Sequence, residues 1–96
     1  HQLDRLAEDH RAARAFAAEV ARFAPEGVDP EAVQTNIVVV DTGSRPAGEV
    51  VAEAAAAGVA VSSVGSHVLR AVTHLDVTLD ECATAGRIVG ALLERR

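Results

Sequence analysis

Apolar residues recur every three or four positions in the first part of the chain, which is the spacing of one side of an α-helix. This pattern predicts a helix from Leu3 to Ala24, which the prolines and glycine of the next segment end. His10 falls on the apolar side. Because no second histidine or acid stands at metal-ligand spacing, we expect a half-buried histidine that is hydrogen-bonded to a neighbour.

A run of β-branched residues from Gln34 to Asp41 predicts a strand with apolar side chains on both faces, which indicates a covered strand. A turn at Gly43 follows, and Ser44 is expected to cap a helix that has Pro46 in its first turn. The segment GEVVAEAAAA continues this helix, and Gly58 is expected to end it.

Two further strands are predicted from Val59 to Val64 and from Val68 to Val77, joined across Gly65 and Ser66 as a tight hairpin. The last helix begins with a capping box formed by Thr78 and Glu81. Its apolar stripe consists of Cys82, Ala85, Ile88, Val89, Leu92 and Leu93.

The order helix, strand, helix, strand, strand, helix predicts an α+β fold. A crossover helix favours a parallel orientation of the first two strands, and the hairpin makes the third antiparallel to the second. With the third strand in the centre, the result is a small three-stranded mixed sheet of order 1-3-2 with helices mainly on one face. The other face stays partly apolar, so we expect a further domain or subunit to cover it.

Arg70 interrupts the apolar strand in the second half of the chain. Burying an unpaired guanidinium costs several kcal/mol, so Arg70 must reach water, pair with a carboxylate or bind an anionic ligand. On an edge strand it would discourage pairing with other chains. The expected central position favours instead a planar, bidentate partner such as a substrate carboxylate.

Composition excludes several function classes. The net charge is −5, and the nine basic residues are scattered arginines, which argues against a nucleic-acid partner or an anionic membrane surface. No apolar run approaches the ~20 residues of a membrane-spanning helix. The single cysteine, Cys82, allows no internal disulfide, so we expect a buried structural cysteine and a cytoplasmic setting.

Two residue types, lysine and methionine, are absent from the sequence. The chain has no lysine, so a reaction that needs a lysine amine cannot be performed by this chain alone. It also has no methionine and begins with His1, and we therefore expect it to be a piece of a longer protein.

Metal binding and peptidase chemistry have weak support. The histidines lie in four different segments, without Cys-x-x-Cys or His-x-x-x-His spacing, so no metal site is predicted. The segment IVVVDTGS resembles the active-site strand and turn of aspartic peptidases, in which Asp41 would share a proton with a partner's aspartate. Because that fold is almost wholly β, the helical pattern favours a plain strand end that leads into a helix.

Four segments, RLAEDHRAAR, VQTNIVVVD, GVAVSSVG and LRAVTHLDV, occur in an order and at separations that resemble the carboxy-terminal small domain of low-specificity L-threonine aldolases. These are pyridoxal-phosphate enzymes of fold type I, the aspartate-aminotransferase fold, in the beta-eliminating lyase group. The resemblance spans essentially the whole chain and is most specific at LRAVTHLDV. It implies that Arg70 binds the α-carboxylate of an amino-acid substrate.

The resemblance also implies what this chain lacks. In the family, the cofactor lysine, a histidine stacked on the ring and an aspartate at the pyridine nitrogen lie in a large domain, which would precede residue 1. Residues 1–96 would then be a single small domain without catalytic, cofactor-binding or metal-binding residues. Without a lysine, pyridoxal phosphate is not expected to bind this chain covalently, and the isolated chain should be inactive.

The parent enzyme would be a homodimer or homotetramer that splits L-threonine or related β-hydroxy-α-amino acids into glycine and an aldehyde. His74 and Asp76 belong to the arginine motif and are expected to form hydrogen bonds at the strand end. Gln34, Thr35 and Asn36 match the family pattern without a role that we can derive. The alternative, suggested by the uncovered sheet face, is a non-catalytic αβ binding or oligomerisation module.

Overall fold

Helices and strands follow one another in the order that the sequence predicts. The computed structural model describes residues 2–33, 36–72 and 78–94. Within these ranges the main elements are α1 (Gln2–Phe23), β1 (Ile37–Asp41), α2 (Ala47–Ala56), β2 (Ser62–Gly65), β3 (Val68–Val72) and α3 (Leu79–Glu94). A short 3-10 turn, Pro30–Ala32, lies in the connection between α1 and β1. The predicted α+β class is confirmed.

The three strands form one sheet in the order β1-β3-β2, so the predicted central position of β3 is confirmed. Both neighbouring pairs are antiparallel. Strands β1 and β2 therefore run in the same direction on either side of β3, as the crossover through α2 predicts, although no two neighbours are parallel. In the β1–β3 pair, Val39 lies opposite Arg70.

The helices cover one face of this sheet. Helices α1 and α2 pack on the strands, and α3 packs on α1 and α2. The strand side chains on the helix side are buried, namely Val38, Val40, Leu69 and Ala71. On the other side, which we call the open face, the β1 and β3 side chains are exposed: Ile37 (41%), Val39 (56%), Arg70 and Val72 (38%). The prediction that one face lacks cover is confirmed, whereas β1 is not covered on both sides within this chain.

Helix α3 begins and packs as its sequence predicts. The backbone amide of Thr78 donates to the Glu81 carboxylate at 2.8 Å, and the Glu81 amide donates to the Thr78 hydroxyl at 3.1 Å. These two bonds confirm the capping box. The bond from the Thr78 backbone amide to the carboxylate is the main cause that lowers the pKa of Glu81, and the Thr78 side chain lowers it further. The predicted stripe faces the core, where Cys82, Val89 and Leu93 are buried.

Two glycines on the same side of α3 let it approach α1 closely. A Cβ at Gly86 would fall against the backbone of Phe16 and lie 2.9 Å from the Cβ of Glu19. A Cβ at Gly90 would lie 2.7 Å from the Cδ2 of Phe23. Both distances are shorter than van der Waals contact allows. The close approach of α3 to α1 therefore requires glycine, which has no Cβ, at positions 86 and 90.

The start of α2 differs from the prediction. Pro46 occupies the N-cap position without a side-chain hydrogen bond, so Ser44 is not the cap. The preceding turn is held instead by the buried Thr42, whose hydroxyl donates to the carbonyl oxygen of Arg45 at 2.7 Å. A proline N-cap leaves no side-chain oxygen to bind the first helical amides, and the amide of Ala47 donates to the carbonyl of Ser66 at 2.7 Å.

The hairpin is also shifted from its predicted position. Strand β2 begins at Ser62 rather than Val59, because the amide of Val59 donates to the carbonyl of Ala54 at 2.8 Å and closes the end of α2. Gly58, with φ +90°, makes this ending possible, as predicted. The two-residue loop consists of Ser66 and His67.

The outer parts of two predicted strands lie outside the described residues. These are residues 73–77, which contain His74 and Asp76, and residues 34–35 at the start of the first strand. In the part of the chain that the structure describes, no helix is long and apolar enough to cross a membrane.

Candidate functional site

Arg70 lies in the middle of β3, the central strand, and its side chain is exposed on the open face. Its neighbours across the sheet are Val39 of β1 on one side and Ser62 of β2 on the other. Among the residues that the structure describes, no carboxylate is paired with Arg70 and no hydrogen bond holds its guanidinium. Of the three outcomes open to this arginine, the structure shows exposure to solvent.

The surroundings of Arg70 are mainly apolar. Ile37, Val39 and Val72 lie on the same face and give the guanidinium a hydrophobic frame. A ligand or domain that covered these exposed apolar side chains would exclude water and strengthen the attraction between the guanidinium and a bound anion. Two parallel N–H groups of an arginine match the two oxygens of a carboxylate, so this arrangement suits a small carboxylate ligand.

Asp41 is the acidic residue of the open face nearest to this site in sheet register, two positions along β1 from Val39. Its carboxylate accepts a hydrogen bond from the backbone amide of Gly43 at 2.8 Å and thereby shapes the turn that follows β1. The α+β fold and this hydrogen bond favour the interpretation of IVVVDTGS as a strand end. The peptidase resemblance would require an almost wholly β fold, whereas this chain has an α+β fold.

His10 and Cys82 occupy structural positions. The Nε2 atom of the half-buried His10 lies 2.7 Å from the carbonyl oxygen of Val33, which confirms the predicted hydrogen bond to a neighbour. Cys82 is buried, also as predicted. Over residues 2–33, 36–72 and 78–94, no three side chains of metal-binding type come together.

Arg45 is a structured arginine that the sequence reasoning missed. It is mostly buried, pairs with Glu53 and more distantly with Glu49 at 3.5 Å, and donates to the carbonyl oxygen of Leu92 at 3.1 Å. The hydrogen bond to Glu53 raises the pKa of Arg45 more than desolvation lowers it. The signal in the sequence is the placement of two glutamates four and eight positions after the arginine, on one side of α2.

Arg45 and Arg70 differ in whether their guanidinium groups are already paired within the described residues. Arg45 connects the start of α2 to the end of α3 and already has anionic partners. Arg70 has the same charge, lies in the central strand and has no such partner within the described ranges. Of these two arginines, Arg70 is the one whose guanidinium is exposed and has no carboxylate partner among the described residues.

A cavity of about 550 Å³ lies on the helix side of the sheet, between α1, the start of α3 and the segment that precedes β2. Apolar side chains dominate its wall, among them Phe16, Val59, Val61 and Ile88. Arg70 does not line this cavity, because its side chain lies on the opposite face of the sheet from Ala71.

Of the comparisons with known proteins, the one with solved structures found a similar fold. No family model matches the sequence, and no curated protein matches it. Among solved structures, one that matches is "The structure of MppP soaked with the product 2-ketoarginine", with a TM-score of 0.65 and 19% sequence identity. The match covers 88% of this chain but 28% of that chain, so the present chain spans little more than a quarter of MppP. MppP is a pyridoxal-phosphate-dependent enzyme of fold type I, and this chain is similar in fold to a part of it.

Proposed function

We propose that this chain is the small domain of a pyridoxal-phosphate-dependent lyase of the threonine-aldolase type, in which Arg70 binds the α-carboxylate of the substrate. The fold shared with part of MppP supports a domain of a fold type I enzyme. The resemblance of LRAVTHLDV to the aldolase motif supports the finer assignment. The observation that carries the proposal is an exposed arginine, free of protein partners within the described ranges, on the central strand.

The residues present do not fit the cofactor by themselves. The sequence contains no lysine, so this chain has no amine to which pyridoxal phosphate could be attached. We therefore assign the cofactor and all catalytic residues to a large domain of the same protein. The part that we assign to residues 1–96 is to bind and orient the amino-acid substrate, L-threonine or a related β-hydroxy-α-amino acid, through its carboxylate.

The open face is the surface that we assign to contact with the large domain. Its exposed valines and isoleucine surround Arg70, so a domain placed there would cover the apolar side chains and enclose the guanidinium. We place the parent enzyme, a homodimer or homotetramer, in the cytoplasm, in keeping with the single buried cysteine.

The test uses the complete product of the gene, supplied with pyridoxal phosphate. Release of acetaldehyde from L-threonine and L-allo-threonine would be measured with a coupled dehydrogenase. Arg70→Gln should raise KM by roughly 100-fold, because two hydrogen bonds to a charged ligand are lost. Arg70→Lys should recover only part of this, since an ammonium cannot form the bidentate pair.

The matched control is Arg11→Gln, which removes the charge of an exposed arginine on α1. It should leave KM within about twofold of the wild-type value, since a surface charge on the helix side has little influence on binding at the open face. An inactive gene product, or an Arg70→Gln variant with unchanged kinetics, would contradict the proposal.

The second candidate, a non-catalytic binding or oligomerisation module, is favoured by the exposed apolar side chains of the open face. Sedimentation of the 96-residue chain and binding of a hydrophobic dye would test it. Self-association together with a gene product that binds no pyridoxal phosphate would favour the module. A monomer that binds no dye would count against the module and equally against a missing covering domain.

A further inference from the structure

A β-bulge decides which residue of β2 lies beside Arg70. Gly65 lies opposite Val68, but Ser63 lies opposite Leu69, so Val64 is the extra residue of the bulge. Beyond the bulge, Ser62 lies opposite Arg70. In a regular hairpin with the same loop, Ser63 would hold that position and Ser62 would be turned toward the helices.

The bulge also decides which valine of this segment lies on the helix side of the sheet. With Ser62 on the open face, Val61 is placed on the helix side, where it packs against the core and lines the cavity. Val64 is exposed instead, at 52%. The bulge therefore turns Val61 toward the helices and makes Ser62, and not Ser63, the serine next to Arg70.

Ser62 is the polar one of the two cross-strand neighbours of Arg70, the other being Val39. Residues directly opposite each other in an antiparallel pair have Cβ atoms about 5 Å apart, close enough to contact one ligand. The Ser62 side chain is exposed, and no hydrogen bond involves its hydroxyl in the described part of the chain. Since β2 is an edge strand, a ligand can reach this hydroxyl from the side of the sheet.

We propose that Ser62 is a second carboxylate-binding residue, which acts with Arg70 on the same anionic group of the substrate. The hydroxyl oxygen can accept an N–H of the guanidinium while its own proton is donated to a carboxylate oxygen. Arg70 supplies the charge, and Ser62 fixes the side of β3 on which the carboxylate lies. This inference rests on the proposed function and extends it to a residue that the aldolase resemblance did not assign.

The experiment measures binding of glycine, a product of the proposed reaction, by calorimetry on the complete gene product with pyridoxal phosphate. Glycinamide is the second probe because it has the same amine but no carboxylate. Ser62→Ala should weaken glycine binding roughly tenfold, the effect of one hydrogen bond to a charged group, and leave glycinamide binding unchanged. Ser62→Thr keeps the hydroxyl and should bind glycine like the wild type.

Ser63→Ala is the matched control, since this neighbouring serine lies opposite Leu69 on the other side of the strand. It should leave the affinity for glycine unchanged. If Arg70→Gln weakens glycine binding and Ser62→Ala does not, the inference about Ser62 is wrong and the proposed function stands. If Arg70→Gln has no effect either, the proposed function itself is wrong. Equal weakening of glycine and glycinamide by Ser62→Ala would also refute a carboxylate contact.

Discussion

Replacing Gly86 by alanine is expected to destabilise the protein, although alanine is the better helix former. In the interior of an exposed helix this exchange stabilises by about 1 kcal/mol. In α3, however, the new methyl group would fall against the carbonyl group of Phe16 and lie 2.9 Å from the Cβ of Glu19. These atoms cannot rotate away as the end of a long side chain could, so α1 and α3 would have to move apart.

The size of the effect follows from two opposing terms. Forcing an extra methyl group into a packed interface costs about 1 to 3 kcal/mol, and contact with backbone points to the upper end. After the gain of about 1 kcal/mol in helix propensity, the free energy of unfolding should fall by about 2 kcal/mol. In a chain of this size that loss lowers Tm by roughly 8 to 16 °C.

Urea unfolding followed by circular dichroism would measure the change, with a midpoint that falls by about 1 M. The matched control is Gly48→Ala in α2, where a Cβ would meet no atom within 4 Å, and stability should rise by about 0.5 to 1 kcal/mol. Gly90→Ala should fall between the two, because the Phe23 ring that it meets can turn. A Gly86→Ala variant as stable as the wild type would refute the close packing of α1 and α3.

Three further predictions concern polar contacts. Arg45→Gln should lower the free energy of unfolding in urea by about 1 to 2 kcal/mol, because Glu53 and the carbonyl oxygen of Leu92 both lose the guanidinium that binds them. Glu49→Gln removes only the more distant and more exposed partner and should cost less than about 1 kcal/mol. Equal effects of these two variants would contradict this account. The pKa of Glu81 is lowered by Thr78, so its contribution to stability is present above the pKa of the unfolded carboxyl and is lost as the pH falls through the lower folded value. Thermal unfolding of Glu81→Gln should therefore differ from that of the wild type at pH 7 and converge with it below both pKa values, and a difference that persists there would contradict the assignment. His10→Leu should lose about 1 kcal/mol in urea unfolding because a backbone carbonyl loses its partner, and unchanged stability would show that this hydrogen bond contributes nothing.

The order of the elements and the centre of the sheet could be predicted because they depend on long patterns. The period of α1 extends over many residues, so single exceptions do not change it. The crossover helix keeps β1 and β2 parallel, and the tight hairpin makes β3 antiparallel to β2. These two connections allow β3 either between β1 and β2 or at the outer edge of β2, and the structure has the predicted central position.

The local geometry was harder to predict because several arrangements satisfy the same pattern. Near the hairpin, Ser62, Ser63 and Ser66 are small and polar, so they fit either face and do not fix the register. With the bulge, Val61 and not Val64 packs against the helices, a choice between two valines that the sequence pattern leaves open. The same holds for Gly86, whose role depends on a partner helix far away in sequence.

Some residues of the candidate site could likewise be found from the sequence, and others could not. Arg70 stands out in the sequence because a charge in the middle of an apolar strand requires an explanation. Ser62 does not stand out, since its place beside Arg70 depends on the bulge and not on any pattern of residues. Arg45 was missed because its two glutamate partners look like the ordinary solvent-exposed charges of a helix.

The contact between α1 and α3 determines when this domain can fold during synthesis. Helix α1 is made first, but the surface that covers it belongs to α3, which leaves the ribosome after the whole sheet has been made. The hairpin of β2 and β3 consists of local contacts and can form early, whereas closing the long loop between α1 and α3 comes last. A chain that lacks α3 therefore leaves apolar side chains of α1 uncovered, among them Phe16, and such surface favours aggregation until α3 packs on it.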